Sequence, residues 1–255
     1  MLLEHRPPPT LAPCIEKLWY CEAYQAARRY ERVLPNGTFQ LVIDLASAFP
    51  PLIVGMRSRY AVLDTAALRS IMGVLFRPGG ARAFFDAPAD AFYNQEIPLD
   101  LVWGSDAMGL RVRLQEAATP AEKFRALEAA LERRAKKRLE LHSAVRYGLG
   151  EFRRMPHTRG VLRVTREAGL SRRRFSQLFR EQVGLTPKLY CRLHRFQQVL
   201  RQIAGGGPVD WADVALAGGY CDQAHLAHEF RDFSGISPGA YLASDPPFPN
   251  HVPMD

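Results

Sequence analysis

Arg172, Arg173, Arg174, Gln177 and Arg180 stand close together in the segment that follows Ser171. Guanidinium groups donate forks of hydrogen bonds to phosphate oxygens and to the guanine edge, and a glutamine carboxamide pairs with the adenine edge. Such groups act together only if one helix face presents them. Here Phe175, Leu178 and Phe179 are related by i, i+3 and i+4, so they point into a core. At about 100° per residue the opposite face holds Arg173, Ser176, Gln177 and Arg180. Arg173, Ser176 and Gln177 are therefore the candidate base contacts, and Arg172, Arg174 and Arg180 the candidate phosphate contacts.

The elements that position this face occur twice. Phe179-Arg180 returns 51 residues later as Phe230-Arg231, and Gly184-Leu185-Thr186-Pro187 with Tyr190 returns as Gly235-Ile236-Ser237-Pro238 with Tyr241. Glycine supplies a left-handed helix end, and Thr or Ser before Pro supplies a cap and a first helical position. Upstream of each copy, Leu162–Ala168 with Gly169-Leu170 and Ser171, and Asp213–Ala217 with Gly218–Cys221 and Asp222, read as helix, tight turn and capped helix. On the second capped helix Leu226 and Phe230 face inward. Gln223, Ala224, His225, Ala227, His228 and Arg231 are the corresponding candidate DNA contacts.

Charge follows the same division. Residues 141–203 hold 14 Lys and Arg against 3 Asp and Glu, whereas residues 204–255 hold 1 against 7, within a net charge of +8. The first unit is thus expected to supply most of the attraction to a phosphate backbone, and the second to make fewer or more apolar contacts, as with thymine methyl groups. No stretch is apolar enough to span a membrane and no signal-peptide core stands near Met1, which predicts a cytoplasmic protein. The four cysteines, Cys14, Cys21, Cys191 and Cys221, have no CxxC spacing and are expected to be reduced. His225 and His228 lack a third ligand at a convincing spacing, so neither metal nor cofactor is expected.

The rest of the chain reads as α+β with two domains. β-prone runs at Lys17–Tyr24, Phe39–Leu45, Leu52–Val54 and Arg69–Phe76 predict a strand-rich N-terminal domain, cupin-like or barrel-like, over residues 1–118. Ala81, Phe84 and Phe85 have helical spacing, and Leu99–Trp103 predicts a second short helix. Thr119-Pro120 opens a connecting helix in 119–143. Its stripe Phe124, Leu127 and Leu131 can pair two subunits or pack internally, and its run Arg133–Arg138 reads first as a solvated face. An all-α domain follows over 144–244, with helix-turn-helix units at about 158–186 and 209–237 joined by a helix over 187–203, and then a flexible tail over 245–255.

The motif from Gly169-Leu170-Ser171-Arg172-Arg173-Arg174-Phe175 to Pro187, with that from Gly219-Tyr220-Cys221-Asp222-Gln223-Ala224-His225-Leu226 to Tyr241, resembles the paired motifs of AraC-type transcriptional regulators over roughly residues 145–243. The resemblance implies that both recognition helices enter successive major grooves of double-stranded DNA. A linking helix of about 25 Å would hold them about 34 Å apart. Leu34-Pro35-Asn36-Gly37, Asp44-Leu45, Val54-Gly55, Gly73–Gly80, Pro98-Leu99 and Trp103-Gly104 are similar to the sensing domain of one AraC-type subgroup. That similarity implies a small-molecule effector or a homodimer contact, with RNA polymerase a candidate partner. Trp19, Tyr20, Tyr24, Arg77 and Trp103 are the candidate pocket residues, set against core packing for the aromatics and a tight strand-to-helix turn for Arg77.

Two competing readings remain at this point. One is a DNA-repair or other enzyme with an appended DNA-binding unit, in which Cys14 or Cys21 would be the nucleophile or a metal ligand. The other is a protein that binds DNA without sequence preference.

Overall fold

The computed structural model describes residues 1–24, 28–66, 68–135, 140–154, 159–204, 207–246 and 248–254. Its N-terminal region is built on strands β1 (Leu2–His5), β2 (Ile15–Glu22), β3 (Tyr30–Val33), β4 (Gln40–Asp44), β5 (Leu52–Val54), β6 (Ala61–Asp64), β7 (Ser70–Phe76) and β8 (Glu96–Pro98). Six of them form an antiparallel sheet in the order β1-β2-β7-β4-β5-β8. Alternate residues of one face share a core, with Leu18 and Leu41 both paired to Val74 and all three fully buried. On the other face Trp19 lies directly across from Gly73, where any Cβ would collide with the indole.

Neither sheet closes into a barrel, contrary to one sequence expectation. The edge strands β1 and β8 have four and three residues and do not pair with each other. The apolar face is covered by helix instead: 3₁₀ turns at Gly80–Ala83 and Ala89–Phe92, then α1 (Asp100–Trp103) and α2 (Ser105–Glu116), which send Phe92, Trp103 and Leu110 into the core.

Helix α3 (Pro120–Arg134) begins with a complete capping box. The Thr119 hydroxyl accepts from the Glu122 amide at 3.3 Å while the Glu122 carboxylate accepts from the Thr119 amide at 3.1 Å. Its stripe of Phe124, Leu127 and Leu131 is buried within the chain, and Phe124 stacks on His5 of β1 at 4.6 Å. Arg134 lies over the Trp103 ring and donates to the Trp103 carbonyl, so part of the basic run is structural. Lys136, Lys137 and Arg138 lie outside the described residues.

The C-terminal region is helical: α4 (Ser143–Arg154), α5 (Arg159–Glu167), α6 (Arg172–Val183), α7 (Pro187–Ile203), α8 (Trp211–Ala217), α9 (Gln223–Ser234) and α10 (Pro238–Ala243). The chain end departs from expectation. Instead of a loose tail, His251–Met254 forms strand β9, which pairs antiparallel with β3 in a second sheet ordered β6-β3-β9. Proline abundance suggested looseness, yet Pro253 sits where the edge of the sheet needs no donor, and Val252 is buried against the core.

Candidate nucleic-acid interface

Each recognition helix is fixed by the same local devices. Ser171 caps α6 by accepting from the Arg174 amide at 3.2 Å, and Asp222 caps α9 by accepting from the His225 amide at 2.7 Å. Gly184 ends α6 at φ 94° and Gly235 ends α9 at φ 74°, the left-handed turns that the duplicated glycines predicted. Thr186 then caps α7 and Ser237 caps α10, each followed by proline at the first helical position. Phe175, Phe179 and Phe230 are buried to within 1% of full burial, so the aromatic ladder is core and the polar faces turn outward.

On α6, Arg172, Arg173, Arg174, Gln177 and Arg180 are exposed and Ser176 is half-buried. Arg174 reaches the Gln177 carboxamide oxygen at 3.4 Å, and the Gln177 amide group donates to Glu181 at 2.8 Å, so these two side chains are oriented along the helix surface. On α9, Gln223, Ala224, His228 and Arg231 are exposed, while Ala227 and His225 are half-buried. His225 turns back toward the helix-turn-helix corner: its Nδ1 accepts from the Cys221 amide at 3.4 Å and its ring meets the edge of Tyr220 at 5.2 Å.

The acidity of the second unit is partly internal. Glu229, 3% exposed, accepts from Arg192 at 2.7 Å and from Arg195 at 3.1 Å, and Asp232 accepts from Arg192 at 2.9 Å. Both arginines belong to α7, so the linking helix neutralises carboxylates that a count along the chain assigns to the following segment. Arg195 also lies over the Tyr220 ring at 5.0 Å, tying α7 to the corner of the second unit. Burial, followed by the Glu229 charge, pushes the Tyr220 phenol well above its ordinary range.

The N-terminal region grips both units at equivalent points. The left-handed turn at Gly184 packs against Phe39 and the Ala89 carbonyl, and the turn at Gly235, 51 residues later, packs against the Tyr60 ring. Next to these contacts Arg180 pairs with Asp90 at 3.0 Å, and the Tyr60 amide donates to the Phe233 carbonyl at 2.9 Å. Between them Gln197 of α7 donates to the Pro35 carbonyl and to Asn250, both at 2.9 Å. The grip falls on the C-terminal ends of α6 and α9, and their N-terminal halves stay open.

The five residues considered for an effector pocket do not converge. Tyr20 borders a cavity at one end of the large sheet. Trp19 covers Gly73 on the opposite face, and Tyr24 donates to Glu31 at 2.7 Å. The Trp103 indole donates to the Phe84 carbonyl at 3.0 Å, and the Arg77 guanidinium donates to the Ala12 carbonyl at 2.9 Å. Gly79, at φ 80°, makes the tight turn after Arg77. The cavity residues Gln115 and Lys123, and Asp90, which meets Arg180, escaped sequence reading because an isolated polar residue looks like surface. No pattern along the chain distinguishes them.

Two capped helix-turn-helix units, repeated in tandem on one linking helix, define a DNA-binding domain. Residues 164–244 match the family described as a helix-turn-helix domain, and residues 3–98 match a domain of unknown function (DUF6597). The C-terminal region is accordingly an AraC-type helix-turn-helix domain, and it follows an N-terminal domain of the second family. No curated protein matches the chain. Similar solved structures include a DNA-binding transcriptional dual regulator from Escherichia coli K-12, at 19% identity over 43% of this chain and 97% of that one, with a TM-score of 0.35. ToxT from Vibrio cholerae is similar at 9% identity over 95% of this chain and 97% of that one, with a TM-score of 0.45. A ToxT structure bound to (E)-4-(8-methylnaphthalen-1-yl)but-3-enoic acid gives 9%, 95%, 97% and 0.42 for the same quantities. Likenesses this distant carry no functional argument.

Proposed function

We propose that the chain is a sequence-specific transcriptional regulator whose N-terminal region binds a small effector and passes its state to the two DNA-binding units. The observation that carries this reading is the open polar face of α6, Arg172–Arg174 with Gln177, duplicated in position by α9 and held on the same linking helix. Arg173, Ser176 and Gln177 read base edges, Arg172 and Arg174 hold phosphates, and Gln223, Ala224, Ala227, His228 and Arg231 form the second contact surface. Arg180 joins the phosphate contacts once it leaves Asp90. His225 serves the corner of its unit more than the groove.

Residues 1–118 together with β9 act as the regulatory unit, residues 119–143 connect, and residues 144–244 bind DNA. RNA polymerase and a second copy of the chain are further partners under this proposal. The cysteine-enzyme alternative is disfavoured by the thiols themselves. Burial pushes both Cys14 and Cys21 above the ordinary thiol range, the opposite of an activated nucleophile.

Selection of bound fragments from a random DNA pool, followed by binding assays on the enriched site, tests the reading. Arg173→Ala is expected to weaken the enriched site by about 1–3 kcal/mol and relax one base preference. Failure to enrich any site, with and without candidate metabolites, refutes sequence-specific regulation. An equal loss on all sequences makes Arg173 a phosphate contact.

A further inference from the structure

A cavity of about 350 Å³ opens where the ends of β2 and β7 meet the end of α2 and the first turns of α3. Its polar walls come from Tyr20, Glu22, Ser70, Gln115 and Lys123. The Lys123 ammonium donates to the Leu114 carbonyl at 2.7 Å and to the Ala117 carbonyl at 2.6 Å, which leaves one of its three hydrogens uncommitted. Gln115 donates from its amide group to the Leu45 carbonyl at 2.8 Å, leaving its own carbonyl oxygen free to accept. Tyr20 and Ser70 share a hydrogen bond at 3.2 Å between their hydroxyls.

The cavity therefore has a half-buried cation on Lys123 and, on Glu22, an exposed carboxylate. Glu22 acts on Lys123 electrostatically. Burial holds the lysine below its ordinary pKa in spite of the fields of Glu22 and Glu122. A half-buried cation with a hydrogen left uncommitted favours an anion, and a nearby carboxylate with an amide oxygen favours a cation. The volume sits at the lower end of the range for ligand sites, about 300–1,000 Å³, and the lining is hydrophilic.

We propose that this cavity binds a small zwitterion of the α-amino acid class, with the ligand carboxylate on Lys123 and its ammonium toward Glu22 and the Gln115 carbonyl oxygen. The proposal rests on the reading of the N-terminal region as effector-binding, and it names the site and the ligand class. Pro120 and Lys123 make one wall, so an occupied cavity fastens the start of α3 to the sheet, and α3 leads toward the DNA-binding helices.

The test is calorimetric titration of the full chain with the common amino acids one at a time, with their deaminated acids and decarboxylated amines as probes. At least one amino acid is expected to bind saturably, and both truncated probes to bind about tenfold or more weakly. Glu22→Gln, at an exposed position, keeps the fold and is expected to lose about tenfold for the amino acid and nothing for the deaminated acid. Lys123→Met loses both; because Lys123 also braces the end of α2, its thermal unfolding is recorded alongside, and Glu22→Gln decides if the lysine variant is unfolded. No binding of any amino acid at about 10 mM overturns the proposal, as does a deaminated acid that binds as well as its parent. Operator binding measured in the same samples separates the two readings. Amino acid binding without an operator effect keeps the cavity assignment and defeats the effector role, while another compound shifting operator affinity with the cavity empty does the reverse.

Discussion

Arg180 of the first recognition helix and Asp90 of the N-terminal region form an ion pair at 3.0 Å, one turn before the glycine that ends the helix. A guanidinium on the polar face of a helix-turn-helix helix is thereby held by a carboxylate of the N-terminal region. The pair is half-exposed, so it contributes little to stability. Its consequence lies in the competition between Asp90 and a phosphate for one cation.

Asp90→Ala is expected to free Arg180, leave the unfolding temperature nearly unchanged, and steepen the dependence of operator binding on salt by about one phosphate equivalent. The slope of log Kobs against log salt measures it. An unchanged slope would mean that Arg180 never reaches the backbone.

Truncating Glu229 should be far more damaging. Arg195, 4% exposed, would be left buried without its carboxylate, and Arg192 would keep only Asp232. Glu229→Ala is expected to cost about 3–5 kcal/mol in denaturant unfolding. A loss below about 1 kcal/mol would show that water replaces the carboxylate easily.

The two helix-ending glycines should respond to substitution more strongly than a free left-handed glycine. Gly169→Ala, at φ 65° with open space around it, is expected to cost about 1–2 kcal/mol from backbone strain alone. Gly235→Ala adds a clash with the Tyr60 ring, and Gly184→Ala adds contacts at 3.0 Å from Phe39 and 3.2 Å from the Ala89 carbonyl. Unfolding temperatures ranked Gly169→Ala above both others would bear this out; equal losses at all three would count against the docking described for the turns.

His194, on the linking helix, should make the protein acid-sensitive in a narrow range. Burial lowers its pKa, helped by the positive charges of Arg201 and Arg153, and its Nδ1 is buried without a hydrogen-bond partner. The unfolded chain then takes up the proton more readily than the folded one, so stability falls as pH drops through the ordinary histidine value of about 6.5. Unfolding temperatures from about pH 7.5 to about pH 5.5 should show this decline in the natural chain and a flatter profile in His194→Leu. Parallel profiles would assign the decline to other groups.

The DNA-facing half of the molecule was legible because its signals are local. Ser171, Gly184, Thr186 and their duplicates each act within one turn of their own position, so spacing alone locates helix ends and faces. The strands at Ile15–Glu22 and Ser70–Phe76 were legible for the same reason, being long and apolar. What escaped were pairings between distant residues. Tyr30–Val33 alternates weakly and becomes a strand because Ala61–Asp64 and His251–Met254 flank it. The Arg192 and Arg195 pairing with Glu229 crosses the boundary at which charge was counted. Trp103 and Trp19 are ambiguous by composition, and only their neighbours make one a core residue and the other the cover of a glycine.

Strand β9 has a consequence for the order of folding. The central strand of the small sheet, near residue 30, waits during synthesis for a partner some 220 residues further along. Both helix-turn-helix units leave the ribosome before that seam can close, so they have the opportunity to fold while the N-terminal region is still missing a strand.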